Sequence, residues 1–410
     1  MDIHQMVALT QQHITDYYRW LLEREPEPEV IATYLSAGVT RTQLVQTILQ
    51  SGEFAERRRR ADASAPVASS SPSPGVRDSQ FWRRYVPFWN PRSPVPFVES
   101  EFQTFVVPGA DGEIIIKSML SSLELSLLYA LARDHWTGEG EIVDLGCLYG
   151  LTTRCLAEGA ARNDQVPEAA KGRRIYAYDL FLAEDFEWWS LASPTVHAGS
   201  WFTDFLRVNH AYLPMLVPCP GDLLRMNWGS RPIEILMVDA AKSWDLNGWV
   251  IRKLFPRLIP GKSVVVQQDQ VHYLEYWISI AMEYFSDKFE YIDTIYGSSA
   301  FYLCKAPITE DEARVDLKAL PFREKERLLL AAIARGRPSL REALKGTYVK
   351  LLLDCEMYAR AREVLEGMST ERLSEDEAYD FSAIARTDKA SLLALLETGE
   401  PSTRGFAPLA

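Results

Sequence analysis

The run Glu141-Ile-Val-Asp144-Leu-Gly146-Cys147-Leu-Tyr-Gly150 joins a short apolar segment to two glycines four residues apart, and Leu151, Thr152 and Thr153 follow directly. This pattern reads as a strand that turns tightly into a helix. Gly146 can take a positive φ and has no side chain, so a ligand can lie against the backbone there. A dinucleotide loop of similar shape needs G-x-G-x-x-G. Position 148 is leucine, which argues against a pyrophosphate-binding loop. Taken alone, the run also fits an ordinary strand-to-helix turn with no ligand.

The turn lies in a stretch, about 113–305, where apolar runs of strand length alternate with helical patterns. Strands are expected at 141–145, Arg174–Tyr178, Met215–Cys219, Ile233–Val238 and Ser263–Gln267, with helices at 118–133 and Trp249–Leu258 among those between. Five strands joined by helices imply an α/β, doubly wound parallel sheet. Tyr291–Ile295 and Ala300–Cys304, joined through Gly297-Ser298-Ser299, read as a terminal antiparallel hairpin.

The flanks are helical. In 1–60, Ile14, Tyr17, Tyr18, Leu21 and Leu22 recur at helical spacing, as do Leu44, Val45, Ile48 and Leu49, with breaks at Pro26, Pro28 and Gly38. Residues 61–80 are mostly Ala, Ser and Pro and read as a flexible linker. The α/β domain is assigned to 81–305, and its first part, 81–105, is rich in aromatics and proline and is expected to wrap the domain as an irregular arm. Helices return in a C-terminal domain, 306–410, with candidates at Leu317–Arg335, Leu340–Leu353, Ala359–Met368 and Asp376–Leu396. Helical flanks of this size offer surfaces for self-association or for another protein.

A formal net charge of −12 over 410 residues argues against nucleic-acid binding through non-specific phosphate attraction. The five cysteines, Cys147, Cys155, Cys219, Cys304 and Cys355, lack metal-ligand spacing and suit a reducing cytoplasm. No segment approaches 18 uninterrupted apolar residues, so no membrane span is expected. The N-terminus has no signal-peptide pattern.

Read with the strand ends that follow it, the first turn resembles the first motif of class I S-adenosylmethionine (SAM) methyltransferases. Those ends are Tyr178-Asp179, Pro220-Gly221-Asp222, Val238-Asp239-Ala-Ala-Lys242-Ser-Trp and Gln267-Gln268-Asp269-Gln-Val-His272. As an ordered set they look like the macrocin-type sugar O-methyltransferases of glycan gene clusters. The resemblance implies a Rossmann-like seven-stranded methyltransferase sheet ending in an antiparallel hairpin, with SAM as cofactor. Separately, Tyr18 to Pro26 together with Ser51-Gly-Glu-Phe54 resembles a short helical module of unknown function found beside bacterial cell-surface glycan enzymes. A saccharide or glycosylated acceptor is therefore expected, with glycan-pathway proteins as partners of the helical flanks.

The same resemblance assigns roles at the crevice beyond the strand ends, where open α/β sheets bind ligands. Asp144, Gly146, Cys147 and Gly150 form the floor under the methionine part of SAM. Asp179 faces the ribose hydroxyls, with a helix N-cap as the alternative. Asp222 faces the adenine amino group or caps the helix after it. Asp239, with Asp269, matches acids that hold a divalent metal such as Mg²⁺ in the family. Gln268 stands where the family has another acid, which weakens a hard-cation site.

Deprotonating a hydroxyl acceptor asks for a base, and His272 and Asp269 are the candidates just past the fifth strand. A surface position is the alternative for His272. Lys242 either positions the acceptor or acts as the base if desolvated. Trp188, Trp189, Trp201, Phe202 and Phe205 in the long 181–212 segment read as a sugar-facing lid or as plain core. A rival reading is a domain that has lost its chemistry and serves as a binding scaffold. Another is methylation of a small non-sugar hydroxyl compound.

Overall fold

The computed structural model describes residues 24–39, 51–53, 98–101, 104–109, 112–182, 200–295, 298–371 and 381–398, with isolated positions between 11 and 48. Ile14, Tyr18 and Leu22 are buried at four-residue spacing, as are Leu44 and Ile48. Helix α1 (Pro28–Ser36) begins on proline, whose missing N–H is no loss at a first helical position. Arg24 grips Glu53 through Nε and Nη2 at 2.6 and 2.9 Å, bringing residues 29 apart in sequence together.

Strands β1 (Val98–Glu101), β2 (Thr104–Gly109) and β3 (Gly112–Lys117) form an antiparallel meander where part of an irregular arm was expected. Phe105, Val107 and Ile116 are buried. Residues 61–97, which include the expected linker, lie outside the described residues.

Helix α2 (Ser122–Ala130) starts with a capping box between Ser121 and Glu124 and ends in a widened π turn at Leu131–His135. The sheet then unfolds in order: β4 (Glu141–Leu145), α3 (Leu151–Ala161), β5 (Ile175–Asp179), α4 (Phe202–Val208), β6 (Leu216–Pro220), β7 (Ile233–Val238), α5 (Trp244–Leu254), β8 (Val264–Gln267), α6 (Tyr276–Tyr284), β9 (Phe289–Thr294) and β10 (Ala300–Cys304). Across the sheet the order is β6-β5-β4-β7-β8-β10-β9, with β4 to β8 parallel and β10 antiparallel to both of its neighbours. This is the expected seven-stranded methyltransferase-like sheet with a terminal hairpin. Its strand order reverses between β4 and β7, which opens a crevice at their C-terminal ends.

Both faces of the sheet are covered, so its strands are apolar throughout and split by period two. Ile142, Ile175, Ala177, Ile235, Met237, Val264 and Val266 join one core with α2 and α3. Val143, Leu145, Tyr176, Tyr178, Leu236, Val238 and Val265 face the other, with α5 and α6. The 161–173 segment between α3 and β5 carries an exposed 3₁₀ turn at Glu168–Ala170, as a surface insertion should.

Helices α7 (Phe322–Arg335), α8 (Pro338–Asp354), α9 (Tyr358–Glu366) and α10 (Ser382–Thr398) build a third core. That core also contains Val271, Tyr273, Tyr276 and Ile280 from the segment after β8. The C-terminal helices therefore pack directly against the chain that leaves the site. No helix among the described residues is long and apolar enough to cross a membrane.

Candidate active site

The turns after β4, β5 and β8 share an unusual backbone feature. Leu148, Phe181 and Asp269 all have positive φ, at 49°, 53° and 61°. Such conformations cost roughly 1–3 kcal/mol each and concentrate at functional sites. Sequence reasoning missed them, because only glycine announces a left-handed position from its identity.

Gly146 and Gly150 have φ of 83° and 87°. A Cβ on Gly146 would lie 2.6 Å from the Asp239 carbonyl oxygen, and one on Gly150 would collide with Asn209 and Phe205. Both glycines are thus needed for packing, Gly146 against the Asp239 backbone and Gly150 against Asn209 and Phe205. Beneath them Asp144 is fully buried. Its Oδ2 accepts from the hydroxyls of Thr152 at 2.8 Å and Thr153 at 2.5 Å, which pins the start of α3 to β4. Its Oδ1 is buried without a hydrogen-bond partner. Burial pushes the Asp144 carboxyl up to about 6, against the pull of those hydroxyls. Cys147 is buried as well, and burial raises its thiol well above the ordinary range.

Asp179 is engaged on both oxygens. Oδ2 accepts the Leu148 N–H at 2.8 Å, and Oδ1 accepts the Phe181 N–H at 2.8 Å and the Trp201 indole N–H at 3.2 Å. Trp201, Phe202 and Phe205 are core residues, with Phe181 edge-on to both phenylalanines. Residues 183–199, including Trp188 and Trp189, lie outside the described residues. Asp222 caps the 3₁₀ turn Leu223–Arg225 by accepting the Leu224 N–H at 3.0 Å, the alternative that its sequence context left open.

On the other side of the crevice Lys242 Nζ donates to Asp239 Oδ1 at 2.7 Å and to Asp269 Oδ2. The Lys242 side chain is 48% exposed, whereas the two acids are only 18% and 20% exposed. Burial opposes the lysine's charge, but the two carboxylates outweigh it and hold the ammonium above its usual range. This favours the positioning role for Lys242 over the base role. Burial raises Asp239, with Lys242 acting against it. Asp269 is buried too, yet Lys242 and His272 hold it below the usual carboxylate range.

His272 follows on the same segment, with Nδ1 bonded to Glu275 Oε2. Burial would lower its pKa, but Glu275 first, then Asp269 and Asp388, raise it to about 8. Asp388 comes from α10, is 4% exposed and has an unpartnered Oδ2. Neither Glu275 nor Asp388 was singled out from sequence. Trp244, two residues after Lys242, packs with Tyr276 and Trp277, and Trp277 Nε1 donates to the Ala241 carbonyl at 2.6 Å.

These residues fit SAM. The orphaned buried oxygen of Asp144 and the strained strand ends meet where the sheet order reverses. They do not fit a divalent metal, because Lys242 occupies the space between Asp239 and Asp269 and Gln268 is bonded elsewhere. Among the described residues no group of three or more His, Cys, Asp or Glu side chains is arranged to hold a metal ion.

No protein-family model matches the chain. No curated protein matches it. Among solved structures, one described as the O-methyltransferase NovP is similar at 13% identity and a TM-score of 0.35, over 46% of this chain and 82% of that one.

Proposed function

We propose that the chain is a SAM-dependent O-methyltransferase acting on a hydroxyl of a saccharide or glycosylated acceptor in bacterial surface-glycan biosynthesis. One observation carries the reading: the glycine floor with Asp144 and the cluster Asp239–Lys242–Asp269 converge on the C-terminal ends of β4, β7 and β8. The saccharide acceptor rests on the sequence resemblance.

Bound SAM supplies an electrophilic methyl carbon, so the chain has to align the acceptor oxygen, exclude water and remove a proton. The floor residues Asp144, Gly146, Cys147 and Gly150 would hold the methionine end, and the lone pairs left on Asp179 would take the ribose. Asp222 would reach the adenine only by giving up part of its cap. Lys242 donates to the acceptor oxygen. His272, oriented through Nδ1 by Glu275, would be the base that takes the hydroxyl proton, with Asp269 beside it.

The test is a transfer assay on wild type and His272→Ala with SAM binding measured in parallel. The variant should keep its affinity for SAM and lose turnover; undiminished turnover would remove His272 from the mechanism. A second reading, a domain that binds but transfers nothing, is favoured by the three internal donors already bonded to Asp179. SAM binding without turnover on any hydroxyl acceptor would select it.

A further inference from the structure

Two features of the strand ends belong together. The first is the ammonium of Lys242 between the carboxylates of Asp239 and Asp269. The second is what holds Gln268. Its amide lies between two hydroxyls, with Nε2 3.0 Å from Ser298 Oγ and Oε1 bonded to Ser299 Oγ. Ser298 Oγ also accepts the backbone N–H of Asp269 at 3.2 Å. Ser299 Oγ reaches Glu124 Oε1 at 2.8 Å, and that oxygen accepts the N–H groups of Ser298 and Ser299 at 3.0 and 3.1 Å. Glu124 is 1% exposed.

An amide suits position 268 in either orientation, because it carries a donor and an acceptor. A carboxylate there would have no donor and would share the Ser299 hydroxyl with the buried carboxylate of Glu124. Gln268 is thus built into the hairpin anchor, and Lys242 fills the gap that remains between the other two acids.

We infer that the site's cation is the chain's own Lys242 ammonium, so that acceptor binding here needs no divalent metal. The inference rests on the proposed function for its acceptor, but not for the cation. Two of the three Lys242 N–H donors go to Asp239 and Asp269, and the third is directed to the acceptor oxygen through the exposed part of the side chain. The lysine supplies a point charge and a hydrogen bond where a metal would supply a charge and open coordination positions. It remains protonated throughout, so the acceptor proton leaves through another group.

The experiment is a titration of the full-length chain with Mn²⁺ followed by electron paramagnetic resonance, in wild type and Asp239→Asn. Wild type is expected to show no stoichiometric bound Mn²⁺ up to about millimolar concentration, the weak end of protein sites for hard cations. One bound Mn²⁺ per chain, lost in Asp239→Asn, would overturn the inference. This readout does not need turnover, so it stands apart from the proposed function, which fails instead on absent SAM binding. Where turnover is measured, Lys242→Met should raise the acceptor KM at least tenfold with SAM affinity unchanged, and Lys242→Arg should restore part of it. An unchanged acceptor KM in Lys242→Met would remove the lysine from acceptor binding.

Discussion

The backbone N–H of Leu148 donates to Asp179 Oδ2 at 2.8 Å, locking the turn after β4 to the end of β5. The two strand ends that would hold a nucleoside between them are therefore one unit, and Phe181 and Trp201 complete it from the other oxygen.

All three partners of Asp179 are donors, whereas an amide has one acceptor oxygen. Asp179→Asn should therefore cost about 1–3 kcal/mol of unfolding free energy, the range for a buried donor left unpaired. SAM affinity should fall with it. Denaturant unfolding and calorimetry check both, and an Asn variant as stable as wild type would contradict the lock.

The Gln268 anchor makes a separate prediction. Gln268→Glu brings a second carboxylate against Glu124, whose pKa burial raises even though several hydrogen bonds oppose the shift. The expected loss is on the order of 3 kcal/mol at neutral pH, as for an uncompensated buried charge. It should shrink as pH falls and one carboxyl takes up a proton. Adding Glu124→Gln should recover part of the loss, which a double-mutant cycle measures.

His272 gives a pH dependence of known sign. Its folded pKa, about 8, lies above the ordinary value of 6.5, because Glu275, Asp269 and Asp388 outweigh burial. The stabilisation, about 2 kcal/mol, is fully present below pH 6.5 and is lost as pH rises through 8. Turnover runs the other way, since a base must be neutral, and should increase with pH through about 8. Asp388→Asn should lower the imidazole midpoint followed by NMR. An unmoved midpoint would detach α10 from the site.

Much of the fold was legible in the sequence. Glu141–Leu145, Ile233–Val238 and Ala300–Cys304 form strands with the expected bounds, and the others shift by only one or two residues at most ends. Period-two patterning within apolar runs and the glycine punctuation at 146 and 150 carried that information. The β1–β3 meander was obscured because its strands are only four to six residues long and Pro108 stands inside β2. At the site, Asp144, Asp179, Asp239, Asp269 and His272 were visible as polar residues after apolar strands. Their partners were not: Glu124 lies 174 residues from Ser298, and Asp388 is one helical acid among many. The S-x-x-E signature at Ser121–Glu124 was the available signal for Glu124, though it announces a helix start and nothing more.

The β4 turn is proposed to hold the methionine end of SAM. Calorimetric titration of SAM into the full-length chain tests it most directly, with Asp144→Asn as the companion, since the Thr152 and Thr153 hydroxyls can bond an amide as well as a carboxylate. One SAM bound per wild-type chain, at least tenfold weaker binding in the folded variant, and no binding of NAD are the predicted results. Absence of SAM binding by the folded wild type, or equal affinity in Asp144→Asn, would contradict the account.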